Sequence, residues 1–182
     1  IFTSLDHYVY AVDVRKGDEI WRFETSAAVA ATPVIDNDSV FVGSFDSNFY
    51  SIELSSGRGK WRFEGASNWY WAKPVLGRGV VYAASLDGKL YALKSASGEK
   101  RWETSTDSPI VGSPAIVSDM IVFGSRSGQV NVVELSSGVV LGTCDVDERI
   151  ETPVLAHENT VYFGARDHSI RALVIKRNGN PD

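Results

Sequence analysis

The fold is decided by residues 85–102, which read SLDGKLYALKSASGEKRW. A polar turn, SLDG, precedes the alternating segment KLYALK, and a second turn, SASG, leads into a segment that ends at Trp102. Apolar and aromatic residues that alternate with period two, bounded by Gly, Asp and Ser, are typical of antiparallel strands joined by tight turns. This stretch therefore predicts two adjacent strands of one sheet.

The same arrangement recurs about every 40 residues along the chain. Proline recurs with steps of 41, 40 and 39, at Pro33, Pro74, Pro114 and Pro153. Glycine recurs with steps of 40, 41 and 40, at Gly17, Gly57, Gly98 and Gly138. Four short strands in a unit of this length predict a β-propeller with four-stranded antiparallel blades. No window has helical periodicity, so the predicted fold class is all-β.

The repeat divides the chain unevenly. We predict a single propeller domain or fragment over 1–182, with about four and a half units: partial units at 1–33 and 154–182, and complete units at 34–74, 75–114 and 115–153. An open arc would leave unpaired strands at its two ends. Three solutions remain open: a five-bladed ring with incomplete terminal blades, pairing with a second copy, or completion by the blades of a larger parent. We expect the edges at Ile1–Ser4 and Ile170–Val174 to be covered.

Composition excludes several classes of protein. Hydrophobic residues make up 43% of the chain and charged residues 23%, without an apolar run long enough to cross a membrane. The net charge of −5 argues against nucleic acid, because phosphates call for a basic face. The one cysteine, Cys144, cannot form an intramolecular disulfide, which is neutral about the compartment.

One motif carries a family resemblance. The pattern Tyr-Ala-(Val/Leu)-x-x-x-x-Gly-x-x-x-Trp occurs from Tyr10 to Trp21 and again from Tyr91 to Trp102. It resembles the repeat of the pyrroloquinoline-quinone-like (PQQ-like) propellers, over essentially the whole chain. In that family the tryptophan docks each blade onto the next, which implies a structural role for Trp21, Trp61, Trp102, Gly17, Gly57 and Gly98. We also expect the glycine four residues before each tryptophan to leave open backbone for the ring. The fourth unit departs from the pattern, because its segment Gly138-Val139-Val140-Leu141-Gly142 contains no tryptophan.

The resemblance implies two kinds of function. Quinoprotein dehydrogenases of this family hold the quinone with calcium, an Asp base and, in many members, an adjacent cysteine pair that Cys144 alone cannot supply. The chain also has about half the blades of such an enzyme. The sequence therefore favours a non-catalytic scaffold or ligand-sensing module, similar to the propeller that assists outer-membrane protein assembly, with no catalytic residue and no cofactor. A fragment or relic of a quinoprotein dehydrogenase, with PQQ and calcium, is the alternative.

The same resemblance implies an extracytoplasmic location, in the periplasm or at the cell surface. It also implies a protein partner, or self-association through blade edges. We interpret the recurring turn aspartates as turn formers rather than metal ligands, at Asp46, Asp87 and Asp167. His7 and His168 follow aspartates in equivalent turns, and we expect no metal site there.

The repeat is least regular in the connectors between the fourth strand of one unit and the first strand of the next. In a propeller these connectors and the turns between second and third strands open on the same face. Aromatic residues are enriched where partners dock, so Trp69-Tyr70-Trp71 is the best candidate for a binding patch. An equally open alternative is that two of these rings pack between blades. The predicted binding face comprises Trp69, Tyr70, Trp71, Asp107, Glu148 and Arg149.

Overall fold

A computed structural model describes residues 1–176, and this part of the chain contains eighteen strands and no helix. The strands form five antiparallel sheets in chain order. The first sheet contains β1 (Phe2–Thr3), β2 (Tyr8–Val12) and β3 (Glu19–Glu24). The second contains β4 (Val34–Asp36), β5 (Ser39–Gly43), β6 (Phe49–Glu53) and β7 (Gly59–Phe63). The third contains β8 (Val75–Gly77), β9 (Val80–Ala84), β10 (Lys89–Lys94) and β11 (Lys100–Ser105).

The fourth sheet contains β12 (Ala115–Val117), β13 (Met120–Gly124), β14 (Gln129–Glu134) and β15 (Val140–Asp145), and the fifth contains β16 (Leu155–His157), β17 (Thr160–Gly164) and β18 (Ile170–Val174). Each strand pairs with its neighbours in sequence, so every sheet is a meander. The first strands of the complete blades lie side by side, β4 against β8 and β8 against β12, and β12 lies against β16. The prediction of an all-β propeller with four-stranded antiparallel blades is confirmed.

The hydrophobic core lies between the sheets. One apolar cluster fills each of the four gaps between neighbouring sheets, and the second strands of the complete blades are buried along their whole length. Strands buried on both faces consist of continuous apolar runs rather than alternating ones. This explains why VFV at 40–42 and VVYAA at 80–84 contain so few polar residues.

The docking tryptophans lie against the following blade. A Cβ atom built on Gly57 would meet the Trp21 ring at 2.7 Å, and one on Gly98 would meet Trp61 at 2.6 Å. The indole nitrogens donate hydrogen bonds across the same junctions, from Trp21 to the Leu54 carbonyl and from Trp61 to the carbonyl at 95, each at 2.9 Å. Each ring therefore covers the glycine turn of the next unit.

This arrangement corrects the expectation that each ring lies on the glycine four residues earlier. A Cβ on Gly17, four residues before Trp21, would meet nothing within 4 Å. Gly17 instead serves its own turn, where its φ of 75° favours glycine. The glycines at 57, 98 and 138 have the same backbone conformation and also receive an indole from the preceding blade.

The junction between the fourth and fifth sheets differs from the others. Gly142, four residues after Gly138, stands at the tryptophan position, and it lines a cavity of about 430 Å³ together with Leu173 and Ile175. A Cβ atom built on Gly142 would meet nothing within 4 Å, so space stays open where the other junctions hold an indole.

Apolar side chains are also exposed at the two ends of the arc. Phe2 is 46% exposed on the first sheet, and Ile170 is 84% exposed on the fifth. Ring closure, pairing with a second copy and completion by a larger parent remain predictions.

Candidate functional site

Connectors and turns meet on one end of the blades. The backbone N–H of each turn residue donates to the carbonyl of the connector that enters its own blade, at 2.8–3.1 Å. The donor–acceptor pairs are Phe45 to Ala28, Leu86 to Trp69, Arg126 to Pro109 and Arg166 to Arg149. We call this surface the connector face, defined by the connectors at 25–33, 65–74, 104–114 and 145–153 and the turns at 44–48, 85–88, 125–128 and 165–168.

Tyr70 does not belong to the exposed part of this face. It is 1% exposed and packs edge-on against Phe49, with ring centroids 5.4 Å apart. Burial raises the pKa of Tyr70 well above its usual value. The equivalent connector residues are also buried, at Val29, Ile110 and Ile150. Each donates its N–H to the carbonyl of the serine that directly follows a strand of the preceding sheet. The prediction of Tyr70 as a surface binding residue is therefore wrong, because this position anchors the connector.

Trp69 and Trp71 remain half-exposed on either side of that anchor, at 46% and 48%. Both indoles stack on the ring of Phe45, with centroids 4.7 Å and 5.2 Å away and planes within 20° of parallel. We call these three residues the aromatic cradle. Phe45 was missed from the sequence because it lies in a turn rather than in a connector. An apolar ring beside the polar turn residue Asp46 was the available signal.

Hydrogen bonds fix the backbone beneath the cradle. The hydroxyl of Ser85 contacts the carbonyls of Asn68 and Trp69 at 3.1 and 3.3 Å, and the Asn68 side chain accepts from the Trp69 N–H at 2.8 Å. The Asp87 carboxylate accepts from the N–H of Ser67 at 3.0 Å. The rings are therefore presented by a connector that is already ordered, which lowers the entropic cost of binding.

Turn aspartates fix the backbone by accepting hydrogen bonds in several blades. Asp46 accepts hydrogen bonds from the Tyr50 hydroxyl at 2.6 Å and from the N–H at 26 at 2.9 Å, and Asp87 accepts from the Tyr91 hydroxyl at 2.7 Å. Burial, and then the bond to Asp46, raises the pKa of Tyr50 to about 12. In the fifth sheet Asp167 is paired with Arg171 instead, at 2.8 Å. These contacts favour the interpretation of the aspartates as turn formers.

The fourth junction carries charged side chains where the second carries rings. The Glu151 carboxylate binds Arg126 through Oε1 at 2.7 Å and Arg166 through Oε2 at 3.2 Å. Arg149 is exposed beside them, and Glu148 is partly exposed. We call Arg126, Arg149 and Arg166 the arginine cluster. Asp107 is exposed on the connector of the third junction.

His7 and His168 occupy the same turn position in the first and last sheets. Both have a positive φ, of 82° and 68°, as does Ser47 in the second sheet. Within residues 1–176 no group of three or more His, Cys, Asp or Glu side chains is arranged to hold a metal ion. The same part of the chain has no helix long and apolar enough to cross a membrane.

A family model described as "Outer membrane protein assembly factor BamB" matches residues 5–180. The chain belongs to this family. A search of curated proteins finds no match. Among solved structures, BamB from Moraxella catarrhalis superposes with a TM-score of 0.80 at 15% identity, covering 94% of this chain and 53% of that one.

Two computationally designed proteins share the fold of this BamB-family chain. The computationally designed Ika8 protein has a TM-score of 0.85 at 18% identity, covering 95% of this chain and 54% of its own. The designed Ika4 protein has a TM-score of 0.76 at 18% identity, covering 84% of this chain and 94% of its own. The chain thus spans about half the length of Ika8 and of the Moraxella protein. At these identities the likeness is one of fold alone.

Proposed function

We propose that this propeller is a non-catalytic scaffold that binds a partner protein through its connector face. The observation that carries the proposal is the aromatic cradle. Its two indoles are half-exposed on a connector whose backbone is held by other residues. Equivalent connector positions in the other junctions hold Ala28 and Ala30, Pro109 and Val111, or Arg149 and Glu151. Blade packing therefore does not require rings at these positions.

Binding explains these exposed rings better than packing does. Tryptophan is enriched among residues that contribute most to protein–protein binding, and contiguous exposed apolar surface marks interaction sites. Asp107, Glu148 and Arg149 supply polar groups on the same face, where they would favour correct partners over wrong ones. Membership of a family named for outer-membrane protein assembly supports an extracytoplasmic location and a partner in that process.

Site-specific photocrosslinking in the cells that make this protein tests the proposal. A photoreactive phenylalanine analogue replaces Trp71 in one variant and Arg78 in a control variant. Arg78 lies in a turn between first and second strands, at the opposite end of the blades. We expect a discrete crosslinked protein from position 71 and none from position 78. Equal crosslinking at both positions, or none at 71 with the fold intact, would contradict the proposal.

The quinoprotein alternative is tested on the same purified chain. PQQ and calcium are added together, and thermal unfolding and visible absorbance are recorded. The scaffold proposal predicts an unchanged melting temperature and no bound chromophore. A quinone that remains bound through gel filtration and raises the melting temperature would assign the chain to the dehydrogenases instead.

A further inference from the structure

We propose that the cavity at the fourth junction binds a small planar aromatic molecule of indole size that carries a ring N–H. The cavity lies between the fourth and fifth sheets, and none of its lining residues belongs to the connector face. The inference therefore goes beyond the proposed scaffold function and does not depend on it. It follows from the side chains that occupy the equivalent position at the other three junctions.

The cavity lies where a docking indole lies at each of the other junctions. Trp102 pairs with Ala92 in the third sheet, and Gly142 pairs with Val132 in the fourth, in the same register between third and fourth strands. Gly142 and Val132 both line the cavity. The first three junctions each place an indole ring against the glycine turn of the next unit. The fourth junction therefore has the backbone of an indole site without the side chain.

A second ring position is also small at this junction. Two residues after the docking tryptophan, the first two sheets carry Phe23 and Phe63, and both rings pack against the hydrophobic core. The fourth sheet carries Cys144 at this position, and Cys144 lines the cavity together with its pairing partner Val130. Because both ring positions hold small residues, the cavity reaches about 430 Å³, within the range of about 300–1,000 Å³ that is usual for small-molecule sites.

The lining of the cavity favours an apolar ring. Val130, Val132 and Leu173 contribute aliphatic side chains, and Met120 adds a thioether. Sulfur makes favourable contacts with aromatic rings, and enclosing a ring removes apolar area from water. Among the lining residues that the structure describes, Lys176 carries the only charge. An ammonium group is attracted to the face of an aromatic ring and repels a cationic ligand, so the lining favours an uncharged aromatic molecule over a cationic one.

A backbone carbonyl provides the acceptor for the ring N–H. Leu54, Ser95 and Ile175 directly follow the third strands of their sheets, and the N–H of each donates to the turn between the first two strands. These three positions are therefore equivalent. The Leu54 and Ser95 carbonyls accept the indole N–H of Trp21 and Trp61, each at 2.9 Å. Because Ile175 lines the cavity, its carbonyl is the equivalent acceptor for a ligand at the fourth junction.

Titration calorimetry of the whole chain with indole tests the inference. We expect saturable binding of one indole molecule per chain. Benzofuran has the same shape but a ring oxygen in place of the N–H, so it should bind about threefold to tenfold more weakly, the effect of losing one hydrogen bond. Cyclohexanol, whose ring is not planar, should not bind measurably. The absence of saturable indole binding, or equal affinities for indole and benzofuran, would overturn the inference.

Two variants that fill the cavity from within assign the binding to it. Gly142→Trp supplies the docking indole, and Cys144→Phe supplies the ring found at positions 23 and 63. Each should abolish indole binding, and Gly142→Trp should also raise the melting temperature because it fills a cavity. Ile20→Trp adds an indole at an exposed position of a fourth strand far along the chain, so it should bind indole as wild type does. Indole binding that persists in either folded cavity-filling variant would overturn the inference.

The thiol of Cys144 reports occupancy of the cavity without any substitution. It is exposed and belongs to the one cysteine of the chain, so a thiol reagent modifies a single known atom at the cavity wall. Indole at ten times its dissociation constant should slow this reaction about tenfold, because only the unoccupied site reacts. Free cysteine in the same solution should react at an unchanged rate. An unchanged rate for Cys144 at saturating indole would overturn the assignment of the ligand to this cavity.

Discussion

The second and fourth junctions of the connector face have equivalent backbones and opposite chemistry. Trp71 follows the buried Tyr70 and stacks on the turn residue Phe45. Glu151 follows the buried Ile150 and binds the turn residue Arg126. The same pair of positions is therefore joined by ring stacking in one place and by an ion pair in the other.

This difference separates what the fold requires from what the surface offers. Each connector buries one apolar side chain and ties its carbonyls to the neighbouring turn, whatever its exposed residues are. The exposed positions are then free to differ between blades. Variation of exposed loop residues on a rigid scaffold is the usual arrangement of a binding surface.

The largest expected effect concerns the framework that both junctions share. Trp61→Ala should lower the free energy of unfolding by about 3–5 kcal/mol, because the ring is partly buried and covers the next blade. Gly98→Ala should lower it by about 2–5 kcal/mol, from backbone strain at a φ of 74° and from the clash with Trp61. Chemical denaturation measures both losses.

Gly17→Ala is the matched control for these variants. It has the same left-handed backbone and open space around its Cβ, so it should cost only about 1–2 kcal/mol of strain. Equal losses for Gly17→Ala and Gly98→Ala would mean that the indole contributes nothing to docking.

The two junctions themselves should differ in their contribution to stability. Phe45→Ala removes two ring stacks and should cost about 1–3 kcal/mol, with little dependence on salt. Arg126→Ala removes an exposed ion pair and should cost about 1 kcal/mol or less, a loss that shrinks further at high salt. Denaturant titrations at low and high salt compare them. The account would be contradicted if the loss for Phe45→Ala depended on salt, or if Arg126→Ala lowered the free energy of unfolding more than Phe45→Ala does.

The hydrogen bond from the Tyr50 hydroxyl to the turn residue Asp46 should make stability depend on alkaline pH. The folded pKa of Tyr50 is raised to about 12 from 10.0, so its contribution to stability is present below pH 10 and is lost as the pH rises toward 12. Tyr50→Phe cannot ionise, and the stability difference between wild type and this variant should narrow over that window. Thermal unfolding at several pH values measures it, with the more exposed Tyr162→Phe as the control. A difference that stays constant across the window would show that Tyr50 ionises normally.

In the fifth sheet the contacts of the turn residue Asp167 with Ser169 and Arg171 should make stability depend weakly on acid pH. A hydrogen bond from Ser169 and a second one from Arg171 lower the pKa of Asp167 to about 2 from 3.8. Its contribution is therefore present above pH 3.8 and is lost as the pH falls toward 2. Asp167→Asn should differ from wild type at neutral pH and approach it at pH 2, by an amount that the exposure of this carboxyl keeps small. Acid unfolding that is identical for both proteins at all pH values would mean that the ionised Asp167 does not stabilise the turn.

The strands and the period could be predicted from the sequence because local alternation and turn residues determine them. VVYAA and KLYALK became neighbouring strands of one blade for that reason. The contact of Trp21 with Gly57 could not be predicted from the spacing within one unit, because the partner belongs to the next blade.

Part of the connector face could also be predicted from the sequence. Trp69 and Trp71 were identified as departures from the repeat, and they are exposed. Tyr70 was misassigned, although alignment of the connectors places it with Val29, Ile110 and Ile150, which are all apolar. Phe45 joins the site through a contact between a turn and the following connector, which no local pattern encodes.

The most direct test of the account transfers the fourth junction onto the second. The variant Phe45→Arg, Trp69→Arg and Trp71→Glu gives the second junction the side chains of Arg126, Arg149 and Glu151 while keeping its buried Tyr70. Unfolding free energy is measured together with crosslinking from a photoreactive residue at Leu86, whose N–H binds the carbonyl of Trp69. We predict a folded propeller that loses about 1–3 kcal/mol and no longer crosslinks its partner. An unfolded variant, or a folded one that crosslinks as wild type does, would contradict the claim that these rings serve binding rather than the fold.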